Sequence, residues 1–374
     1  MIVGSYLQQP QGYKAFIPAP FPPQEEFRSD SNTTKLLEKA NLQLGKLDGI
    51  TQTLPDLDFF IFMYVRKEAT LSSEIEGTRA TLIDSIKAEL EITQDLPKDV
   101  DDILHYIQAM NFGLKRITNF PLSLRLIREV HSVLMTKARG SGFVYPGEFR
   151  TSQNWIGGTA PINARFVPPP PDVVQTALHD LELYLHNQDS LPTLIKTALI
   201  HAQFETIHPF VDGNGRTGRL LITFYLCQQG ILEKPVLYLS EFFKRHRELY
   251  FELLENYHNK GEFIPWVNFF LEGMATVSTN AVIISKKINI LRRQDIQKVQ
   301  NFGRSPKAAL SVLDKLYELP IVTVKKVQDW TGFSRPSATD LIDKLVKLDI
   351  LFQRDKDITY GRIFEYKEYL KIFT

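Results

Sequence analysis

The chain has little cysteine and no long apolar segment. Among its 374 residues Cys227 is the single cysteine, which excludes an intrachain disulfide and favours a reducing, cytoplasmic location. The apolar neighbours of Cys227 in LLITFYLCQQG (220–230) predict a buried helix in which the thiol acts as a small hydrophobic group. No run reaches about 18 apolar residues, and the proline-rich N-terminus has no charged region followed by an apolar one. We therefore expect neither a membrane span nor a signal peptide.

The sequence also lacks an excess of charge of either sign. Lys and Arg number 44 and Asp and Glu 43, so the formal net charge is +1. Such a balance gives no overall attraction to nucleic acid, although it can conceal a local basic patch. What the chain does have is core-forming residues, 43% hydrophobic and 11% aromatic, which suffice for two or three domains without disulfides.

Apolar spacing predicts a mainly α-helical protein, with Ser123 as an N-cap and Pro171 in the first turn of a helix. The sequence divides into four predicted parts. Residues 1–115 are an extended arm at 1–28 followed by helices, and residues 116–275 are a helical core. Residues 276–303 are a linker helix, and residues 304–374 are a separate module. Glycine, proline and aromatic residues interrupt the core. There the apolar pieces on both sides of GGTAP predict two short strands joined by a turn at 153–167.

Three glycines in HPFVDGNGRTGRLL (208–221) have the spacing G-x-G-x-x-G. A dinucleotide-binding turn with this spacing needs a preceding β-strand, whereas PTLIKTALIHAQFETI (192–207) has the apolar period of a helix. A Walker P-loop is excluded too, because G-x-x-x-x-G-K-[ST] has no match in this stretch. The remaining pattern is helix, Gly-Asn-Gly turn and helix, in which uncovered backbone N–H groups and the helix dipole form an anion site.

Four side chains beside this turn suit phosphoryl or nucleotidyl transfer. Arg216 and Arg219 lie three residues apart in the first turn of the second helix, so both can reach one polyphosphate. Asp212 would be repelled by that polyphosphate unless a Mg²⁺ ion bridges the two. His208 lies where it could accept a proton from an incoming hydroxyl. Taken singly, each of these residues is also typical of a turn or a solvated face. His201, in contrast, is expected to be a buried, hydrogen-bonded histidine.

HPFVDGNGRTGR (208–219) resembles the signature of the Fic family, H-x-F-x-[DE]-G-N-G-R-x-x-R, and matches all eight of its specified positions. Most members of that family transfer AMP from ATP to a Ser, Thr or Tyr hydroxyl of a protein. The resemblance implies a Fic-type helical core, with His208 as general base, Asp212 as Mg²⁺ ligand and Phe210 as an anchor of the loop. It also implies that ATP is held by its α- and β-phosphates at Gly213, Asn214, Gly215 and Arg216, and by its γ-phosphate at Arg219.

Two further regions gain an interpretation from the resemblance. The segment at 153–167 is similar to the family's flap, a β-hairpin that pairs with the backbone of the target protein beside the modified hydroxyl. The alternative is a loop hairpin that packs on the core. Tyr250 lies in a predicted helix at 241–258, where the family packs adenine and ribose. It is therefore a candidate contact for the nucleotide, or else a core aromatic residue.

LSSEIEG (71–77) fits the pattern [ST]-x-x-x-E-[GN] through Ser72, Glu76 and Gly77. This is similar to the inhibitory motif of the Fic subclass whose inhibitor lies N-terminal in the same chain. The resemblance implies that Glu76 pairs with Arg219 and so removes the donor that should hold the γ-phosphate. ATP could still bind, with its α-phosphate badly oriented for attack. In some relatives a glutamate so placed also orients water to remove AMP, and a plain surface charge is the third alternative.

The predicted elements in 306–374 occur in the order helix, strand, helix, helix and two strands around a polar tip, which indicates a winged helix. Phe333–Thr339 opens the helix that would read DNA. Between 304 and 374 there are 13 Lys and Arg against 10 Asp and Glu, a balance that predicts weak DNA affinity for a monomer. The module is therefore expected either to bind DNA, as in a transcriptional regulator, or to serve in protein docking or homodimer formation.

Overall fold

The computed structural model describes residues 3–22, 27–52, 57–92, 96–136, 145–188, 191–301, 306–355, 357–358 and 361–373. Within them the prediction of a mainly α-helical fold is confirmed. The helices are α1 (Ser31–Gln52), α2 (Leu57–Ile75), α3 (Leu82–Glu89), α4 (Val100–Ile117), α5 (Leu124–Leu134), α6 (Pro171–His186), α7 (Thr193–Ile207), α8 (Asn214–Gln228), α9 (Ser240–Arg245), α10 (Arg247–Lys260), α11 (Phe263–Gln300), α12 (Pro306–Glu318), α13 (Val324–Thr331), α14 (Arg335–Lys347) and α15 (Lys367–Leu370). The strands are β1 (Gly4–Gln8), β2 (Lys14–Pro18), β3 (Ile321–Thr323), β4 (Phe352–Gln353) and β5 (Ile363–Glu365).

The core is built around α7, whose residues from Leu194 to Ile207 are all buried. A helix that is buried on every side has no solvent face and must lie among other elements, and the polar residues of α7 are buried with the apolar ones. α8 packs against it, and α6, α10 and α11 cover it elsewhere. The turn at 208–213, which joins α7 to α8, is therefore held at both ends by buried helices.

Two helix starts agree with the sequence, and one does not. The Ser123 hydroxyl accepts the N–H of Leu126 and caps α5, and Pro171 is the first residue of α6. The predicted linker helix at 276–303 is part of a longer helix, because α11 begins at Phe263 and runs without interruption to Gln300. The predicted domain boundary at 275 thus lies inside α11, where no turn-forming sequence stops the helix.

α11 is the one helix among the described residues that is long and apolar enough to cross a membrane, with a mean hydropathy of 1.3 over an 18-residue window. Of that window, 61% is buried inside the protein. α1 packs along α11 and supplies much of this cover. This degree of burial is typical of a helix in the core of a protein.

The N-terminal residues fold back on themselves, so the prediction of a single extended arm at 1–28 is corrected. β1 and β2 pair as an antiparallel hairpin whose turn contains Gly12, with φ 89°. Phe16 of β2 is buried, and its ring centroid lies 5.8 Å from that of Phe166. Its amide donates to the carbonyl of Val167 at 2.9 Å. This contact fastens the hairpin to the end of the segment at 153–167.

The segment at 153–167 contains a single bridge pair, Ile156 with Phe166, where two strands were predicted. Gly157 and Gly158 directly follow Ile156 and have φ of 69° and 73°, outside the extended region. A 3₁₀ turn at Pro161–Asn163 comes next. The chain thus turns back after one pair, and a longer ladder cannot form.

The C-terminal elements occur in the predicted order, and their strands form an antiparallel sheet in the order β3, β5, β4. Several contacts join them to the preceding helices, among them the ion pair of Arg292 in α11 with Asp314 in α12 at 3.0 Å. Arg66 of α2 donates from Nη1 to the carbonyl of Glu318 at 3.0 Å, and the Tyr366 hydroxyl donates to the buried carboxylate of Asp295 in α11. α2 therefore contacts the C-terminal elements through its first half and ends at the motif around residues 72–76.

Candidate active site

His208 lies directly after α7, at the entrance to the turn. Its backbone is left-handed, with φ 48° and ψ 61°, a conformation that costs free energy in residues other than glycine. Arg150 stabilises it, because its Nε donates to the His208 carbonyl at 2.9 Å and its Nη2 to the carbonyls of Ile207, at 3.3 Å, and Pro169. Arg150 is buried, and this burial lowers its pKa to about 10. Nothing in the sequence marks Arg150, since a lone arginine in a loop is typical of a surface residue.

Phe210 fixes the middle of the turn in the core, as the resemblance implies. It is fully buried and stacks on the imidazole of His131, with centroids 3.6 Å apart and planes inclined by 2°. That imidazole accepts the N–H of Gly147 at Nδ1 and donates from Nε2 to the carbonyl of Asp212, both at 2.9 Å. These partners require a neutral ring with its hydrogen on Nε2. Consistently, burial lowers the pKa of His131 to about 4.

Asn214 closes the turn by bridging its backbone. Its Oδ1 accepts the N–H of Phe210 and its Nδ2 donates to the carbonyl of the same residue, each at 2.8 Å. Gly213 has φ 76°, which glycine adopts without steric cost. A Cβ at Gly215 would lie 2.3 Å from Oε1 of Glu76. The two glycines therefore permit the bend and leave the first turn of α8 open to a ligand.

Asp212 and Arg216 face each other at the mouth of the turn. The Asp212 side chain is 56% exposed, and its Oδ1 accepts the N–H of Gly213 at 2.6 Å. Arg216 is buried, with Nη2 4.0 Å from Asp212 and Nη1 3.5 Å from Asp102. Its Nε is buried and has no hydrogen-bond partner among the described residues. A buried guanidinium with an unused donor suits an anionic ligand.

Arg219 lies one turn further along α8 and bonds to the end of α2. Its Nε donates to the Ser72 hydroxyl at 2.8 Å, and its Nη2 donates to the Ser72 carbonyl at 3.0 Å and to Oε1 of Glu76 at 2.7 Å. Burial is the largest influence on Arg219 and opposes its charge, but Glu76, Tyr250 and Tyr106 together outweigh it and raise the pKa of the guanidinium. Burial is also the largest influence on Glu76, and Arg219, Arg216 and His208 together outweigh it and lower the pKa of the carboxyl. The two side chains thus form an ion pair.

Gly77 ends α2 just past the point where Glu76 reaches Arg219. It has φ 98°, and its N–H donates to the carbonyl of Glu74 at 3.1 Å. A left-handed glycine after the last helical residue is a common C-terminal cap. Gly77 therefore ends the helix, and the position of this end places Glu76 beside Arg219.

One cavity of about 510 Å³ brings the predicted site residues together. Its wall includes His208, Asp212, Gly213, Asn214, Gly215, Arg216, Arg219, Glu76 and Tyr250. Ile156 and Phe166, the bridge pair of the segment at 153–167, line the same cavity. Ser72 bonds to Arg219 from outside the wall. The catalytic, anion-binding and inhibitory residues predicted from two separate motifs thus surround one space.

Tyr250 lines this cavity and also makes the contacts of a core residue. It is 1% exposed, its ring stacks on Phe243 at 4.5 Å, and its hydroxyl lies 2.8 Å from Nε2 of His201. His201 donates from Nδ1 to the carbonyl of Gly218 at 3.1 Å, so Nε2 accepts the tyrosine hydroxyl hydrogen. His201 is therefore the buried, hydrogen-bonded histidine that was expected. A nucleotide contact of Tyr250 stays a prediction.

The imidazole of His208 is neutral at physiological pH. Burial and the guanidinium of Arg150 lower its pKa to about 4. A neutral ring can accept a proton, as a general base must. Nδ1 is buried without a hydrogen-bond partner among the described residues, and the nearest carboxylate oxygen is Oε2 of Glu205 at 3.8 Å. Glu205 was not singled out from the sequence, where it stands as one acidic residue in an apolar helix.

Two family models match the chain. Residues 34–115 match the Fic/DOC family N-terminal model and residues 121–226 the Fic/DOC family model, together half of the chain. A protein named "Probable protein adenylyltransferase" from Aquifex aeolicus is 31% identical over 170 residues, 45% of this chain and 50% of that protein. The "Protein adenylyltransferase Fic" of Drosophila mojavensis is 32% identical over 203 residues, 53% of this chain and 37% of that protein. The chain thus spans half or less of the length of these curated relatives.

The fold has a counterpart among solved structures. A crystal structure of a Fic family protein from Desulfovibrio desulfuricans superposes with a TM-score of 0.57 at 18% sequence identity. The superposition covers 92% of this chain and 98% of that one. At this identity the likeness concerns the fold alone, and it extends over nearly the whole chain.

Proposed function

Because the chain belongs to the Fic/DOC family, we propose that it is a protein adenylyltransferase, which transfers AMP from ATP to a Ser, Thr or Tyr hydroxyl of a protein. The observation that carries the proposal is the cavity in which a neutral histidine, an exposed aspartate and two buried arginines surround the open first turn of α8. The adenylyltransferase names of the relatives support the same reaction.

The residues present fit a triphosphate. The N–H groups at the start of α8 and the guanidinium of Arg216 are donors at the cavity wall, and Gly215 has no side chain to block the space that Glu76 now occupies beside them. Arg219 would hold the γ-phosphate once Glu76 has left it. Each of these donors is held by the fold before a ligand arrives, so little reorganisation is needed on binding.

Mg²⁺ fits only together with the nucleotide. Among the described residues no group of three or more His, Cys, Asp and Glu side chains could hold a metal, and Asp212 is the carboxylate at the mouth of the turn. Mg²⁺ commonly binds through one or two carboxylates plus substrate phosphates and water. Asp212 would therefore be its protein ligand. When bound, the ion would neutralise charge that develops on the phosphates during transfer.

In the reaction His208 takes the proton of the target hydroxyl. The hydroxyl oxygen forms a bond to the α-phosphorus, and the bond from that phosphorus to the β-phosphate oxygen breaks, which releases pyrophosphate. The low pKa of His208 keeps its imidazole free to accept the proton. Arg150 and His131 hold the turn that places this base, through the carbonyls of His208 and Asp212.

The ion pair between Glu76 and Arg219 supports autoinhibition as part of this proposal. Arg219 cannot offer Nη2 to a γ-phosphate while that atom donates to Glu76 at 2.7 Å and to Ser72 at 3.0 Å. ATP would then bind with its α-phosphate out of line for attack. A second role, in which Glu76 orients water to remove AMP from a modified protein, is compatible with the same position.

The target protein is proposed to bind along the segment at 153–167. Trp155 and Ile162 of this segment are 39% and 73% exposed, and Ile156 borders the cavity. An extended target backbone could pair beside this bridge, which would bring the target hydroxyl to His208. Backbone pairing of this kind depends little on the side chains of the target.

The proposed reaction is tested by incubating the Glu76→Gly variant with a cell lysate and isotopically labelled ATP, followed by peptide mass spectrometry. We expect AMP on Ser, Thr or Tyr side chains of one or a few proteins, or of the variant itself. The same incubation with a His208→Asn, Glu76→Gly double variant serves as control. Label on another kind of side chain, or a group other than AMP, would contradict the proposed reaction.

DNA binding by the C-terminal elements receives less support. Four basic side chains there are close to acidic ones: Lys371 to Glu368 at 2.6 Å, Lys344 to Asp340 at 2.7 Å, Arg354 to Glu365 at 3.5 Å and Arg362 to Asp343 at 3.8 Å. We therefore expect the protein to retard duplex DNA in a gel weakly at low salt and not at physiological salt. The control is the Arg335→Glu, Lys344→Glu double variant. Strong retardation at physiological salt that this variant abolishes would favour a transcriptional regulator instead.

A further inference from the structure

Glu205 is a buried acid beside the proposed base, and the motif assigns it no role. It lies in the last turn of α7, three residues before His208, with 8% of its surface exposed, and it lines the cavity. Its Oε1 is buried without a hydrogen-bond partner among the described residues. Nδ1 of His208 is also buried without a well-formed hydrogen bond, although the backbone carbonyl of Glu205 is close enough to raise the pKa of the imidazole. The gap between Glu205 Oε2 and that Nδ1 is 3.8 Å. Buried polar atoms normally have partners, so an imidazole nitrogen without one, beside a carboxylate whose second oxygen also has none, calls for an explanation.

We propose that Glu205 is a positioning residue for His208, whose carboxylate accepts the Nδ1–H of the imidazole and so leaves the lone pair of Nε2 facing the target hydroxyl. A shift of about 1 Å in the Glu205 side chain would bring its Oε2 to hydrogen-bond distance from Nδ1 of His208. A neutral imidazole carries one hydrogen, and if that hydrogen were on Nε2 the ring could not accept a proton from the cavity. The effect on the reaction rests on the proposed function. The tautomer of His208, in contrast, can be measured whether or not the protein transfers AMP.

The surroundings show that space is kept for this carboxylate. A Cβ at Gly218 of α8 would lie 2.4 Å from Oε1 of Glu205, so any larger residue there would displace it. Arg219 is close enough to attract Glu205, but its hydrogen bonds go to Ser72 and Glu76. Glu205 is thus the acid that the structure places next to His208 and leaves without a partner of its own.

The charge of Glu205 depends on pH in the range of ordinary assays. Burial raises its pKa to about 8, Arg219 of α8 opposes this and Glu76 of α2 adds to it. The other ionisable groups that face the pair are Arg150 and Asp212, which act on His208, and Tyr250 and His258 of α10. When ionised, Glu205 can only accept a hydrogen bond and selects the Nδ1–H tautomer. When protonated, it can instead donate to Nδ1 and select the inactive tautomer, so activity should rise as pH increases through about 8.

The kinetic test uses the Glu76→Gly background, in which the proposed activity is released. We expect Glu205→Ala to lower kcat for AMP transfer by about 10- to 100-fold, part of the factor that a general base contributes, with little change in KM for ATP. Glu205→Gln keeps the size and an accepting oxygen, so it should retain more activity but lose the rise with pH. Thr206→Val, a change at a neighbouring buried residue whose hydroxyl bonds only to the Ala202 carbonyl, is the control for packing.

A second readout does not need the reaction. Nitrogen-15 NMR of labelled histidine, with the His208 signal assigned by its loss in His208→Asn, should show the Nδ1–H tautomer at pH 9 in the parent protein and Nε2–H in Glu205→Ala. The Nε2–H tautomer in the parent, or Glu205 variants with the parental rate and pH profile, would overturn the proposal. If Glu76→Gly transfers no AMP, the proposed function fails and the tautomer still decides the role of Glu205.

Discussion

AMP transfer should fall by about two to four orders of magnitude when His208 is replaced by asparagine, the range that a positioned general base contributes. The imidazole is buried, neutral and part of the anion-binding turn, whereas His258, the other histidine of the cavity wall among the described residues, lies on α10. Asparagine is a better replacement than alanine, because it tolerates the left-handed backbone that this position adopts. The measurement is the initial rate of AMP incorporation in the Glu76→Gly background.

Two controls separate loss of the base from loss of the turn. Binding of ATP and Mg²⁺ should be nearly unchanged in His208→Asn, since Arg150 holds the backbone of this residue through its carbonyl and not through the imidazole. His179→Asn, which removes an exposed histidine of α6, should leave both binding and rate as they were. An undiminished rate in His208→Asn with ATP bound would remove His208 from the mechanism and with it the proposed reaction.

The parts of this site that could be predicted are those in which a few adjacent residues determine the geometry. The bend of the Gly-Asn-Gly turn follows from its own glycines and from the Asn214 side chain that bridges Phe210. The helices around it follow from apolar spacing, and Ser123 caps α5 by a local hydrogen bond. α11 was predicted to begin too late, because its first residues are apolar on most sides and show no helical stripe.

The supporting residues could not be predicted, because their partners are distant in the sequence. Arg150 bonds to a carbonyl 58 residues away and His131 to one 81 residues away. The contact between Glu76 and Arg219 spans 143 residues and was expected only from the resemblance to a family. Glu205 has a different difficulty: a single acid in an apolar helix gives no indication of which neighbour it faces. Tertiary contacts of this kind require the fold.

Replacing Glu76 by glycine should raise the rate of AMP transfer by about 10- to 100-fold. The change frees Nη2 of Arg219 for the γ-phosphate, and a net hydrogen bond to a charged group contributes about 1.5–3 kcal/mol, which corresponds to that factor. Arg219 keeps its two bonds to Ser72, so it should remain oriented toward the cavity. The buried guanidinium loses its counter-ion, so the variant should have a lower Tm, and ATP with Mg²⁺ should raise that Tm more than in the parent protein.

Glu74 provides a matched control at the same end of α2. Glu74→Gly removes the same charge and introduces the same flexible residue, but its carboxylate pairs with Lys244 and not with Arg219. Because Glu74 lies inside α2, this variant should lose some helix stability, and it should not gain rate. Incubating both variants with an AMP-modified protein shows whether Glu76 also supports removal, since only Glu76→Gly would then lose it. If Glu76→Gly is no faster than the parent with ATP and Mg²⁺, the ion pair is structural and the cavity is not held inactive by it.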